Sequence, residues 1–452
     1  MNFAQRIIRN ALVLILLSTQ LSWAISKEMH ALVRLETHSN AVASRESDFV
    51  KMPHYEIPLR LLESSIELDA PKEYLKSLIH EINGEKYVRW VLNPEDTKWD
   101  ATIVAFLKQN GIEPVKQTYF AGYMTASRSY ILVDPKSGAE FSLKSSTNKT
   151  GGMWVDKKQT WADSFQIRTL SDYVRDRIKH QPPLEHSIIL YEPIAFGIKD
   201  SDIGIIVRSY KDLPKSGKRY VPGFSILHEN LGRDLAKRNG SSDPAAYWNE
   251  NYNKPLARAL AEFFALTGIR YDSPHSQNFL VELNEKNQPT GKIVLRDFGD
   301  SFLHKDIFDA IGRNDIIKIW EQDNVIKGEV GMAVGTLHGN TPPTWINAFP
   351  KQQIANRFLH ILPPGTVPKL ISENKSQQDY DTWGADFFTE FEKEFARQTG
   401  IELTFAGTHR KSGMYFMKSY DLLGNSNFLE LFSKDAQRNT LKALSCKRMF
   451  IN

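Results

Sequence analysis

Ser273-Pro274-His275-Ser276-Gln277-Asn278-Phe279-Leu280-Val281-Glu282-Leu283 and Lys292-Ile293-Val294-Leu295-Arg296-Asp297-Phe298-Gly299-Asp300 are two apolar runs with polar ends. Between them, residues 284–291 are polar and hold Pro289 and Gly291. Apolar runs around a turn-rich loop read as a β-hairpin. The hairpin places His275 and Asn278 at the entrance of one strand and Asp297 at the exit of the next. The two ends of a hairpin lie side by side, so an imidazole, an amide and a carboxylate converge there.

An Asn and an Asp on adjacent strand ends are how kinase-like folds hold the metal that carries ATP phosphates. Mg²⁺ takes oxygen donors, usually one or two carboxylates plus phosphate oxygens, which makes Asn278 and Asp297 the candidate metal ligands. The alternative is a hairpin whose polar ends merely cap it. The Asp-Phe-Gly of 297–299 on the same hairpin favours chemistry. His275 either hydrogen-bonds a phosphate and orients Asn278, or packs in the turn on a backbone partner. Asp272 is the nearest carboxylate upstream, six residues before Asn278. A kinase-like catalytic loop has its base five residues before the Asn, so Asp272 is a general-base candidate displaced by one position.

Working outward, residues 115–121, 130–133 and 139–145 read as three antiparallel strands, with residues 122–129 as a small polar loop and residues 134–138 as a strong turn. Three such strands with a Lys on the third read as the start of a kinase-like ATP lobe, and Lys144 is the phosphate candidate. Lys149 is a second choice. It lies in the hydroxyl- and glycine-rich run of residues 145–152, with Ser145 and Thr147. Such runs bind phosphate through backbone N–H groups and side-chain donors, although the Gly-Lys-Ser/Thr core of a Walker loop is missing. A solvated strand end is the other reading for both lysines. Residues 161–178 read as a helix without a Glu, so Asp163, Asp172 or Asp176 would have to partner the Lys. Strands follow at 187–190 and 203–209, and residues 210–217 read as a hinge. Arg208 ends the second of these strands and can clamp a phosphate or carboxylate. Arg296 is read as structural, because strand alternation turns it away from Asp297.

Before this region, residues 75–82 read as helical and 86–92 as a strand. Beyond the hinge, residues 254–267 carry Leu256, Leu260, Phe263 and Phe264 at helical spacing, and Gly268 stops the helix. Residues 1–24 have the pattern of an export signal: Arg6 and Arg9, an apolar run over 11–17, and Ser22-Trp23-Ala24 at the expected cleavage point. An uncleaved anchor is the alternative, and no later stretch is apolar enough to cross a bilayer. The formal net charge is +4, and removing residues 1–24 takes away two Arg and no acids. A near-neutral chain without a Lys/Arg-rich block gives no case for a nucleic-acid partner. A lone cysteine, Cys446, excludes an intrachain disulfide framework. No His/Cys zinc spacing and no Gly-x-Ser-x-Gly elbow occurs.

Tyr247-Trp248 through Gly268-Ile269, then His275-Ser276-Gln277-Asn278, then Leu295-Arg296-Asp297-Phe298, resemble the ATP-binding core of the aerobactin-synthetase-like siderophore synthetases. The resemblance covers roughly residues 140–300. It implies an ATP site that uses His275, Asn278 and Asp297, with residues 145–149 and Arg208 as further matches. It implies ATP and Mg²⁺ as cofactors, and adenylation of a carboxylate followed by attack of an amine or hydroxyl. The family's N-terminal His-Pro-x-x-Lys-type region is absent. The expected fold is α+β: a two-lobed, kinase-like and siderophore-synthetase-like ATP cradle with an antiparallel N-lobe sheet and a mainly helical C-lobe. The expected layout is a signal peptide over 1–24, a mixed region over 25–114, the N-lobe over 115–214 and the C-lobe over 215–452. The expected protein is exported and free of the membrane after cleavage, and its partner is a small-molecule carboxylate or amine. Two other readings stand beside it: a secreted kinase-like phosphotransferase acting on a protein, and a non-catalytic exported binding protein.

Overall fold

The computed structural model describes residues 25–38, 50–126, 128–149, 156–179, 181–198, 200–214, 216–228, 230–271, 278–320, 325–326, 330–333, 377–403, 405–410, 416–420 and 427–432. The expected export signal therefore lies outside the described residues. The chain divides into two compact units: Met1–Thr37, Val42–Phe165 and Pro193–Lys211 in the first, His38–Ala41, Gln166–Glu192 and Asp212–Asn452 in the second. The expected hinge at 210–217 spans one of these divisions.

Helix α1 (Lys27–His38) opens the first unit. Strands β1 (Val50–Pro58), β2 (Glu63–Ile66), β3 (Ile79–Ile82), β4 (Glu85–Val91), β5 (Gln117–Ala126), β6 (Ser129–Val133) and β7 (Glu140–Ser145) follow. Helices α2 (Lys72–Leu78) and α3 (Lys98–Gln109) interrupt them, and helix α4 (Trp161–Ile178) comes after β7. The chain then forms β8 (Ser187–Ile189) in the second unit and returns for β9 (Ile194–Ile198) and β10 (Ile203–Ser209). One nine-stranded sheet results, in the order β2-β9-β10-β7-β6-β5-β1-β4-β3, and every pairing in it is antiparallel. The boundary expected at 114/115 thus falls inside a sheet: β1 pairs directly with β5. Local composition could not show this pairing.

Period-two alternation gives the sheet two distinct faces. Phe120, Tyr130, Phe141, Leu143 and Val207 point into a core that also takes Ile103 and Leu107 of α3. Register puts Tyr123, Ile131, Ser142 and Arg208 in one cross-strand row of the opposite face. Here α4 starts: a Cβ on Gly197 would strike the Trp161 ring, and one on Gly204 would lie 2.5 Å from the Thr160 carbonyl oxygen. These paired glycines are what let the helix approach so closely. The β6–β7 turn is closed by Asp134, whose Oδ1 accepts from the N–H groups of Lys136 (2.7 Å) and Ser137 (3.0 Å). The loop expected at 122–129 is mostly strand, because β5 continues to Ala126 opposite β6. Gly122 marks the place where Met52 crosses the strand. The helix expected over 75–82 ends at Leu78, and residues 79–82 form an edge strand.

The second unit holds β11 (Arg219–Pro222), β12 (Ile269–Tyr271), β13 (Phe279–Leu283), β14 (Pro289–Leu295) and β15 (Ser301–His304). They build a four-stranded sheet, β11-β13-β14-β8, and a three-stranded one in which β15 pairs with β12 on one side and with Val325–Ile326 on the other. A further three-stranded sheet joins Val330–Ala333, Phe416–Tyr420 and Phe405–Arg410. Helix α5 (Lys254–Thr267) is the buried centre of this unit. Its Phe264 ring lies 5.6 Å from Phe395 of helix α6 (Gln377–Thr399) and 6.0 Å from Phe428. Gly268 ends α5 at φ +70°, with its N–H on the Phe264 carbonyl at 2.8 Å. The architecture is mixed α+β, with strands in the second unit as well as helices.

Candidate functional site

The expected hairpin is β13 and β14, the central pair of the four-stranded sheet. Its apolar residues are buried: β11 and β8 pair with its two outer edges, and α5 packs against β14. Phe279 stands opposite Leu295, and one step further the Arg296 N–H donates to the Asn278 carbonyl at 3.2 Å. Asn278 and Asp297 therefore come to the same end of the sheet, as their spacing predicted. Asn278 is buried and Asp297 half-buried.

Asp297 adopts a left-handed backbone (φ +69°, ψ +76°) and starts the short 3₁₀ turn Phe298–Asp300. Such a conformation is uncommon for a residue with a side chain and needs support from its surroundings. Two anchors supply it. Phe298 stacks on Phe263 of α5, with centroids 5.8 Å apart and planes at 2°. The Tyr271 hydroxyl donates to the Arg296 carbonyl at 2.5 Å and also reaches the Asp297 carbonyl. A Cβ on Gly299 would lie 3.1 Å from Ile167 Cδ1 and 3.6 Å from Asp297 Oδ1, so this glycine leaves room beside the carboxylate. Because Asp297 leaves the sheet, strand alternation does not decide how Arg296 and Asp297 face each other. Asp272 and His275 lie outside the described residues.

The candidates of the first unit separate by face. Lys144 stands opposite Ser129 and Ile206, and Arg208 stands opposite Ser142, so Lys144 and Arg208 share a face. Ser145, opposite Ile205, points to the other face, and its buried Oγ has no hydrogen-bond partner among the described residues. In the described part of the run, residues 145–149, backbone N–H groups expected for a phosphate are engaged inside the fold. The Ser145 N–H donates to the Arg128 carbonyl, and Thr147 exchanges both backbone bonds with Lys157. The Asn148 N–H donates to Asp96 at 2.6 Å, and the Lys149 N–H to the Thr147 hydroxyl at 3.0 Å. Four N–H groups are thus committed within the fold, which leaves side chains, with Lys149 exposed. Of the three aspartates considered as Lys partners, Asp172 lies 3.4 Å from Arg168 on its own helix.

Sequence reasoning missed Tyr271 and Phe263. Their signals were an aromatic closing the strand after Gly268-Ile269, and an aromatic within the helical stripe. Among the described residues, no group of three or more His, Cys, Asp or Glu is arranged to hold a metal.

No protein-family model matches the chain, and no curated protein matches it in sequence. Among solved structures it is similar to the petrobactin biosynthesis protein AsbB from Bacillus anthracis str. Sterne. That likeness has 13% identity and a TM-score of 0.52, over 86% of this chain and 70% of that one. Aerobactin synthetase IucC from a hypervirulent pathotype of Klebsiella pneumoniae gives 14% identity and a TM-score of 0.49 over 78% of this chain. The ATP-bound aerobactin synthetase IucA from the same source gives 14% identity and a TM-score of 0.45, over 78% of this chain and 65% of that one. This chain spans 65% of IucC. The resemblance expected from the hairpin motifs thus has its counterpart in the fold, which is like that of AsbB.

Proposed function

We propose that this chain is an ATP-dependent ligase with a kinase-like cradle, adenylating a small-molecule carboxylate for condensation with an amine or hydroxyl. The observation that carries this reading is the hairpin end: Asn278 and Asp297 at the same end of the sheet, in a fold similar to AsbB. One amide and one carboxylate suit Mg²⁺, whose remaining ligands are phosphate oxygens and water. Asn278 and Asp297 would hold the ion, and it would supply neutralisation of phosphate charge there.

The chain's own residues do the rest. Tyr271 and Phe298 fix the backbone that aims the Asp297 carboxylate, so its orientation is set before a ligand arrives. The carboxylate substrate is already a nucleophile, so this step needs no general base. In the first unit Lys144 and Arg208 are the cations proposed for phosphate, and Lys149 is a third. Export is part of the proposal on the pattern of residues 1–24, and N-terminal sequencing of the mature protein checks it.

Mg-ATP should raise the melting temperature of the purified protein. With substrate, AMP and pyrophosphate should appear. Release of ADP instead would identify a phosphotransferase. Asp297→Ala should abolish turnover and the Mg²⁺ dependence of ATP binding, and retained activity would remove the metal assignment.

A further inference from the structure

Asn-Gly occurs three times in the chain, at 83–84, 110–111 and 239–240. In such a pair the glycine nitrogen can attack the asparagine side-chain carbonyl, because no Cβ on the second residue obstructs the approach. The attack needs an unengaged glycine N–H and a side-chain amide that is free to swing. The fold withholds both at two of the pairs. Asn110 follows helix α3. Its Nδ2 donates to the Phe106 carbonyl at 2.9 Å, and the Gly111 N–H donates to the Lys108 carbonyl at 3.0 Å. Asn239 follows the helix Asn230–Arg238. Its Nδ2 donates to the carbonyls of Leu235 (2.9 Å) and Asn287 (3.1 Å), and the Gly240 N–H to that of Lys237 (3.0 Å).

Asn83-Gly84 differs. It is the two-residue turn between β3 and β4, where Ile82 stands opposite Glu85. Both turn residues have positive φ, +52° and +83°. That is the signature of a type I′ turn, which favours Asn-Gly and Asp-Gly. Both residues are exposed, and a Cβ on Gly84 would meet nothing within 4 Å. Neither the Asn83 amide nor the Gly84 N–H has a hydrogen-bond partner among the described residues. Ring closure rotates Asn83 out of the left-handed region, so the turn has to open first. Strand β3 permits this: it is four residues long, lies at the end of the sheet, and exposes Glu81 and Ile82. Short edge elements of this kind open without unfolding the domain.

We propose that Asn83 is a site of spontaneous deamidation, and that its isoaspartate product unpairs β3 from β4. The Gly84 nitrogen gives its proton to solvent base and bonds to Asn83 Cγ. The Cγ–Nδ2 bond breaks and ammonia leaves, which yields a cyclic imide. Water then adds to one of the two imide carbonyls. Addition at Cγ gives an aspartate, a residue that the type I′ turn accepts. Addition at the main-chain carbonyl leaves Gly84 bonded to Cγ, an isoaspartate whose main chain is one carbon longer. A two-residue turn fixes the register of its strands, so the longer chain cannot keep Ile82 opposite Glu85.

The test holds the full chain at mildly alkaline pH, which speeds loss of the Gly84 proton. Mass spectrometry reads each Asn-Gly peptide, and an isoaspartate-specific carboxyl methyltransferase reads the rearranged product. Asn83 should convert while Asn110 and Asn239 keep their amides, and in urea all three should convert alike. The isoaspartate form should lose hydrogen-exchange protection at residues 79–82. Asn83→Asp should keep that protection, and Asn83→Ser should neither convert nor lose it. Conversion of Asn83 no faster than of the other two in the folded chain overturns the proposal. The same preference for Asn83 in urea overturns it too, because local sequence and not the fold would then be the cause. Isoaspartate with protection intact at 79–82 overturns the unpairing.

Discussion

Glu262 offers a direct test of how the hairpin end is held. It sits on α5 with only 2% of its surface exposed. Its Oε1 accepts the Glu185 N–H at 2.6 Å. Its Oε2 accepts the N–H groups of His186 (3.2 Å) and Ser187 (2.9 Å) and the Ser187 hydroxyl (2.6 Å). These donors begin β8, which runs parallel to β14 with Ser187 opposite Ile293 and Ile189 opposite Leu295. The carboxylate thus fixes the neighbour of the strand that leads to Asp297. Glu262→Gln preserves the shape. The best rotamer keeps the amide oxygen toward the three donors and turns the NH₂ toward the Glu185 N–H. That leaves one buried donor facing another, at about 1–3 kcal/mol, and reduces three charge-assisted bonds to neutral ones. Relief of the buried charge offsets part of this. The net local loss is about 2–4 kcal/mol, or roughly 30- to 1,000-fold in an opening equilibrium. Hydrogen exchange read by mass spectrometry should show this acceleration at residues 187–189 and 293–295, with the sheet of the first unit unchanged. Exchange within about threefold of wild type at both segments would refute the reasoning, because backbone pairing alone would then hold β8.

Two further outcomes follow from particular sites. Burial, aided by the nearby Arg270 charge, pushes His304 down to about 3. The unfolded chain therefore takes up this proton first, so His304 costs no stability above about pH 6.5 and weakens the fold as pH falls toward 3. Between pH 6.5 and 5 the loss is about 2 kcal/mol, and His304→Phe should flatten that part of a urea-midpoint profile. His80 of the first unit, also lowered by burial and Arg89, acts in the same direction. Glu394 enters later: burial raises it, but hydrogen bonds from His186, Arg397 and Gln398 win and hold it at about 2. Its contribution is present above about pH 4.5 and is lost as pH falls through 2. Gly204→Ala places a methyl 2.5 Å from the Thr160 carbonyl oxygen. It should cost about 1–3 kcal/mol and lower the melting temperature, and an unchanged value would mean that α4 shifts freely on the sheet.

Where local pattern and tertiary demand agree, the reading from sequence held. Helix α4 and strand β10 have the bounds their residues predicted. The pairing of hairpin β13–β14 holds too, although Pro289 and Gly291, expected in the loop, lie inside β14. The reading failed where a residue answers to a distant neighbour. Gly122 looked like a loop residue, yet it is a strand residue making room for Met52. The hydroxyl- and glycine-rich run at 145–152 looked open to phosphate, but in its described part Arg128, Lys157 and Asp96 claim the amides of Ser145, Thr147 and Asn148. Strand β9 was missed: it is a short, wholly buried run without alternation.

The sequence by itself determined that Asn278 and Asp297 come to one end of the sheet, because a hairpin's ends are neighbours whatever surrounds it. Tertiary structure decided how Asp297 is presented. Its left-handed backbone is sustained by Tyr271 and by Phe298 stacked on Phe263, contacts between elements remote in the chain. It also decided that Lys144 and Arg208 share a face while Ser145 turns away, since cross-strand register depends on which strands pair.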